Sequence, residues 1–358
     1  MKKYKVILRG AYGAYNFGDD ALLNVIYNKI VTKVEKKDIA IFGSNISYLK
    51  EHYPQSYVID KFQSSNSKCN NLVYGGGTQF YDFGSGSRLN IDTFKLILKP
   101  SYLLKKIKSK LIQSNNLLID YDCEQYVCVG MGPFKSLNSK VFKNALNQMK
   151  HAAFLSVRDN KSSYYLDSNS INYSKTVDLC FSKKIKTEQK YEEDSVGVIL
   201  RDWDFYESEF TIENFWKNLT KIKNKNIKII TFGKDIKTKD FCKRNNIDIL
   251  SWDPEKMKID DFILDLSKFK ILITSRFHGI IYSILLDRAV ISLPIEPKLE
   301  QAAKELDGVI SFNGECLNSL IKEVEKNYSN IISRLNVTKI KNYSVANNTL
   351  NEFLDSLK

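Results

Sequence analysis

Short apolar runs alternate with helical patterns along most of the chain, and this rhythm predicts parallel βα units. In the first half the runs predict strands over 5–8, 39–42, 72–74, 126–129 and 154–157. A charged stretch with few core residues, Ser182 to Asp194, then breaks the pattern and reads as a linker. Strands are predicted again over 196–200, 227–231, 247–250, 271–274 and 290–293. The expected architecture is α/β: two Rossmann-like domains facing a cleft, over 1–185 and 195–330. A polar helical tail, 331–358, is expected to pack back onto the first domain.

The stretch ILITSRFHGIIYSILLDRAVISLP, 271–294, carries the most chemistry. It predicts a strand, a tight junction, an apolar helix over 279–286 and a second strand. The junction holds Arg276, His278 and Gly279. In open α/β sheets ligands bind beyond the carboxyl ends of the strands, where a helix N-terminus offers N–H groups and positive dipole character. Arginine there can bind an anion bidentately, and histidine can exchange a proton near neutral pH.

The first βα junction reads RGAYGAYNFGDDALL, 9–23. Its glycines match neither the dinucleotide fingerprint nor a Walker A loop. Asn16 and Gly18 suit positive φ, and Asp19 or Asp20 is expected to cap a helix starting at Ala21. One cap needs one aspartate, which leaves the other for acid–base work. Gly75, Gly76 and Gly77 follow a strand and permit close backbone approach, and Gly130 and Gly132 follow another. Arg158 directly follows a strand, where an interdomain salt bridge is the plain alternative to a role in the cleft. Asp159 is placed to cap the next helix, and Asp178 is expected to end a short strand. Arg201 closes a strand ahead of Trp203, as an anion clamp would. Arg201 and Arg276, at strand ends of one parallel sheet, can converge on one anion, with Lys298 in reach. His52 and His151 have no such setting.

Composition narrows the function further. At 358 residues there is room for two full cores. No segment approaches the roughly 18–20 apolar residues of a membrane span. The apolar run Val6 to Leu8 is too short for a signal peptide, so a cytoplasmic location is expected. Six scattered cysteines give neither a zinc pattern nor a disulfide framework, and no metal site is expected. The net charge of +13 favours phosphorylated or membrane-borne substrates. No nucleic-acid-binding motif is visible, so no nucleic-acid partner is expected. Over 100–112, a helix would gather Leu103, Leu104, Ile107 and Leu111 on one face, flanked by Lys105, Lys106, Lys108 and Lys110. This is either an ordinary crossover helix or a peripheral contact with the anionic inner face of the cytoplasmic membrane.

Taken in order, these blocks resemble the polysaccharide pyruvyl transferase family from Gly10 to about Leu306. The opening loop corresponds to Asn16-Phe17-Gly18-Asp19-Asp20-Ala21, the glycine block to Gly75-Gly76-Gly77-Thr78, and the next block to Val157-Arg158-Asp159 through Ser162. Thr176-Val177-Asp178, the strand Val198 to Arg201, the signature Ser275 to His278, and Glu296-Pro297-Lys298 complete the set. Glu296 replaces the usual aspartate, and Gly279 stands where alanine is common.

The resemblance implies a GT-B-like fold and transfer of pyruvate from phosphoenolpyruvate, a co-substrate rather than a cofactor. The product would be a ketal on a sugar of a surface polysaccharide, capsule or cell-wall glycan, built on a lipid-linked precursor. It implies Asp19 and His278 as catalytic residues, with Arg201, Arg276, His278, Gly279 and Lys298 holding the donor. Asn16, Gly18, Asp20, Gly75, Gly76, Gly77, Arg158 and Asp178 would line the rest of the cleft. Two other functions fit the same architecture. A nucleotide-sugar glycosyltransferase would use Glu296 or Glu300 on the ribose, and a silent scaffold would need none of the strand-end charges.

Overall fold

The computed structural model describes residues 1–64, 66–82, 119–134, 136–185, 190–202, 212–222, 224–314 and 316–358. The basic segment 100–112 and Trp203 lie outside these.

The strands are β1 (Lys2–Arg9), β2 (Ile39–Phe42), β3 (Tyr57–Ile59), β4 (Ser67–Gly75), β5 (Thr78–Asp82), β6 (Asp120–Phe134), β7 (Phe154–Val157) and β8 (Ser174–Lys175) in the first half. The second half contributes β9 (Glu192–Leu200), β10 (Asn226–Thr231), β11 (Ile249–Ser251), β12 (Phe269–Thr274), β13 (Ala289–Ser292) and β14 (Ile310–Ser311). They form two parallel sheets, in the orders β3-β2-β1-β4-β6-β7-β8, with β5 on β6, and β11-β10-β9-β12-β13-β14. Each order runs outward from its first strand in both directions, so each sheet has a topological switch point: β1/β4 in one and β9/β12 in the other. At such a point the outgoing loops diverge and leave a crevice.

Sequence periodicity found ten strands, placed β8 two residues too far along, and missed β3, β5 and β14, which run five residues or fewer. Two boundaries moved with consequences. The strand expected at Thr176-Val177 lies at Ser174–Lys175, so Asp178 does not end a strand but caps the 3-10 turn Leu179–Ser182, accepting from Cys180 N. The helix expected over 279–286 runs Phe277–Leu285, with Arg276 as its N-cap residue.

The C-terminal helix Tyr328–Ser356 is 29 residues long, about 44 Å at 1.5 Å per residue. Ile331, Leu335, Thr338, Asn342, Ala346, Thr349 and Phe353 recur every three or four positions and are buried, as a core-facing stripe requires. The expected docking on the first domain is only half of its role. Near its start Arg334 pairs with Asp307, and Thr338 Oγ1 donates to the Asp307 carbonyl 3.0 Å away. Near its end Thr349 Oγ1 meets Thr176 Oγ1 at 2.7 Å, and Phe353 packs on Phe154. The helix therefore spans both halves.

A second join comes from the first βα loop. Phe17 is fully buried among Phe232, Trp252, Phe262 and Tyr282 of the second half, with ring centroids 4.8–5.5 Å apart. Its backbone N–H donates to the Phe232 carbonyl at 2.8 Å. An aromatic plug of this kind excludes water from the seam and fixes the helix behind it against the second sheet.

Candidate active site

The helix carrying the two aspartates begins at Phe17, not Ala21, and its cap is Asn16, whose side chain accepts from Gly18 N. Both aspartates thus sit inside the first turn, where the dipole favours carboxylates, and neither is needed as a cap. They differ in what they meet. Asp19 accepts from Asn16 Nδ2 at 2.5 Å and remains partly accessible. Burial raises its pKa, opposed by the charges of His278, Arg158 and Lys298. Asp20 is enclosed: Oδ1 accepts from Tyr48 OH and Oδ2 from Trp252 Nε1, each at 2.9 Å. Burial pushes its pKa up to about 7. With both oxygens committed, Asp20 works as a clasp between the halves and not as a cleft-lining acid.

Gly18 lies directly against His278. A Cβ on Gly18 would stand 2.1 Å from His278 Nδ1, so any side chain there would displace the ring. On the ring's other side, Nε2 lies 3.4 Å from Asp178 Oδ2, without a formed hydrogen bond. The same Oδ2 accepts from Arg158 Nη1 at 2.7 Å in a pair almost wholly buried. Burial acts to raise the Asp178 pKa, but His278, Arg158 and the Cys180 N–H outweigh it and hold the carboxyl well below the usual range. Asp178, Cys180 and His278 also form the one grouping of potential metal ligands among the described residues. The Arg158 guanidinium on Asp178 puts a positive charge where a cation would bind, so the grouping is better suited to an ionised Asp178 backing His278.

The two arginines of the second sheet stand at its switch point. Arg201 follows β9, and its N–H donates to Ser275 Oγ at 2.9 Å, tying the two strand ends together. Arg201 Nη1 lies 3.5 Å from Glu296 Oε1. Burial pulls the Arg201 pKa down to about 10, and the charge of Arg276 pulls the same way. Arg276 Nη2 donates to Asp235 Oδ1 at 2.5 Å. Asp235 itself takes a left-handed conformation, φ 31°, and also accepts from Asp202 N and Gly233 N. This anchor was missed in the sequence, although Asp235 follows the end of β10 on the same sheet edge as Arg201 and Arg276.

Three expectations are corrected by contact. The Gly279 N–H donates to the Arg276 carbonyl at 2.9 Å and is not offered to a ligand. Its lack of a side chain serves packing, because a Cβ would stand 2.1 Å from Thr274 Oγ1. The bend at Gly75, Gly76 and Gly77 is buried; Tyr12 OH donates to the Gly75 carbonyl at 2.6 Å, and Leu22 covers Gly76. Gly75 and Gly76 make room for their own domain. Arg158 pairs within the first half, not across the seam.

Lys298 stands over the Phe277 ring, 4.2 Å from its centroid, while Arg158 lies 5.2 Å from the same ring. Burial lowers the Lys298 pKa to about 8, with Arg158 acting in the same direction. Asp159 caps the helix Asn160–Asp167 by accepting from Ser162 N. Both acids that a nucleotide-sugar enzyme could use on ribose are engaged, Glu296 near Arg201 and Glu300 with Lys304 at 2.6 Å.

The sequence model of the family described as polysaccharide pyruvyl transferase matches residues 3–297. Among solved structures, HepE of Anabaena in complex with UDP is similar over 100% of both chains, at 10% identity and a TM-score of 0.55. A UDP-N-acetylglucosamine 2-epimerase aligns with 99% of this chain and 96% of its own, at 9% identity and a TM-score of 0.56. A putative UDP-N-acetylglucosamine 2-epimerase from Listeria monocytogenes aligns over 99% and 95%, at 10% identity and 0.56. At these identities the likeness is one of fold: two Rossmann-like domains of the GT-B kind. No curated protein matches the chain.

Proposed function

Because the chain belongs to the polysaccharide pyruvyl transferase family, we propose that it transfers pyruvate from phosphoenolpyruvate to two hydroxyls of one sugar, forming a cyclic ketal. The observation that supports this reading is the convergence of Arg201 and Arg276 at the β9/β12 switch point, where Ser275 ties the two strand ends together and the charge of Arg276 acts on Arg201. Phosphoenolpyruvate brings a carboxylate and a phosphate, together about three negative charges, into such a site.

In this reading a proton is added to the methylene carbon of the donor, which becomes a methyl group. The cationic centre at C2 is attacked by one sugar hydroxyl, and its proton is removed. The C2–O bond to phosphate then breaks, and the second hydroxyl closes the ketal. One acceptor proton ends on the methyl group and the other on the released phosphate, so the balance closes. Asp19, whose pKa burial raises, is suited to hold the proton for the methylene carbon. His278, backed by ionised Asp178, is suited to take the hydroxyl proton. The first half, 1–185, would present the acceptor, and the second, 195–330, the donor. The acceptor would be a surface glycan, capsule or cell-wall precursor carried on a lipid.

Calorimetric titration with phosphoenolpyruvate, against a panel of UDP- and GDP-sugars, tests the reading directly. Phosphoenolpyruvate should bind, and Arg276→Ala should weaken it at least tenfold. Binding of a nucleotide sugar with none of phosphoenolpyruvate would overturn the proposal.

A further inference from the structure

The helix Ile236–Arg244 begins with an exchange of roles between two aspartates. Asp235 stands at its N-cap position, where an aspartate ordinarily accepts from first-turn N–H groups, yet its side chain makes no such bond. Asp202, which follows Arg201 beyond the end of β9, caps the helix instead. It accepts from Lys237 N at 2.7 Å, from Thr238 N at 3.1 Å and from Thr238 Oγ1 at 2.7 Å. Asp235 is thereby released to face the arginine. Its Oδ1 accepts from Arg276 Nη2 and from Asp202 N, and its Oδ2 accepts from Gly233 N. It does so buried and at φ 31°, in a left-handed conformation that residues with a side chain adopt at a cost. Gly233 completes the arrangement. A Cβ there would stand 3.0 Å from Arg276 Nη2, so the bare backbone lets the guanidinium lie close against it. Arg276 Nε is buried and has no partner, so one corner of the guanidinium is held while another donor stays unused.

We infer that Asp235 is a positioning residue. With Gly233 it forms a seat that fixes the Arg276 guanidinium, and through Asp202 it fixes the spacing from Arg201, for an anion bound at the β9/β12 switch point. This rests on the reading of the two arginines as the donor clamp. By charge alone Asp235 works against that anion, because it is a like charge beside the site. Its contribution is geometric. A guanidinium binds carboxylate or phosphate bidentately only when its N–H groups are aimed, and a misplacement of about 1 Å can cost 10²-fold. Neutralising Asp235 therefore has opposite effects under the two accounts: tighter donor binding if it is only a counter-ion, weaker binding if it positions Arg276.

Two substitutions separate position from charge. Gly233→Ala crowds Nη2 and changes no charge. Asp235→Asn removes the charge and keeps a residue that tolerates the left-handed backbone. Each should weaken calorimetric binding of phosphoenolpyruvate about tenfold, and should one variant not fold, the other decides. Isotopically labelled arginine gives a second readout with no ligand present. In the wild type the Nη signals of Arg276, assigned by their loss in Arg276→Lys, should be split by hindered rotation about Nε–Cζ; in both variants they should merge. Donor binding that either folded variant leaves unchanged or tightens would overturn the inference, as would freely turning Nη groups in the wild type. If the wild type binds no phosphoenolpyruvate while Arg276 is held and both variants release it, the donor reading falls and the seat stands.

Discussion

At the scale of single residues, the two adjacent aspartates show how neighbours in sequence part company in structure. Asp19→Asn and His278→Ala should each lower kcat by about 10²–10⁴ while changing donor affinity little, as expected for proton carriers. The check is turnover beside calorimetric binding. If Asp19 is the acid, exchange of solvent deuterium into the donor's methylene group should vanish in Asp19→Asn and survive in His278→Ala. Asp20 belongs to stability. Its folded pKa, about 7, lies above the ordinary carboxylate value, so the folded state holds a proton that the unfolded chain gives up. That contribution is fully present below about pH 4 and is lost as pH rises through about 7. Denaturant midpoints for the wild type should therefore fall across that window relative to Asp20→Asn, which cannot titrate. Asp20→Ala, leaving the Trp252 N–H buried and unpaired, should cost about 1–3 kcal/mol at low pH, and less as pH rises through about 7.

At the scale of elements, the helix Phe277–Leu285 is held against β12 by a contact that left only an indirect sign in the sequence. Gly279 stands where alanine is common in the family it resembles, and the reason here is the Thr274 hydroxyl 2.1 Å from where a Cβ would be. Gly279→Ala should cost about 1–3 kcal/mol by overpacking. Adding Thr274→Ala should recover most of the loss, and urea denaturation of the single and double variants decides the matter. The strand-end placement of Arg158, Arg201 and Arg276 was legible from the apolar runs before them. Their partners were not. Asp235 and Asp178 come from other βα units, and a short polar turn does not announce which strand end it will lie beside.

At the scale of the whole molecule, the Phe17 plug and the long C-terminal helix hold the halves together beside the Asp20 clasp. Phe17→Ala opens a cavity among four aromatic rings and should cost about 3–5 kcal/mol, seen as a lower thermal midpoint. Because it also frees the first helix from the Phe232 ring, turnover should fall further than donor binding. A separate expectation concerns the lysines at 105, 106, 108 and 110, each worth about 1 kcal/mol near an anionic surface. If the segment touches the membrane, wild-type protein should sediment with anionic vesicles in a salt-dependent manner and a variant with all four changed to glutamine should not; equal binding by the two, or none by either, leaves it an ordinary crossover. Among the described residues no helix is long and apolar enough to cross a membrane.

The amino-acid order by itself determined the alternation of strand and helix, the two-part division of that rhythm, and which charged residues would stand at strand ends. These follow from local periodicity, since a strand or helix writes its buried face into a few neighbouring positions. Tertiary structure decided what each of those residues does. Asp20 became a clasp because Trp252, 232 positions away, brings its indole N–H to it. His278 gained Asp178 across 100 positions, and Gly18 was required to be glycine by a ring from the other half. Gly75 and Gly76, which read as room for a ligand, proved to be room for Tyr12 and Leu22. A carboxylate's role depends on which donors reach it and how much water remains. Both are set by chain crossings between distant segments, for which a single sequence carries no local signal.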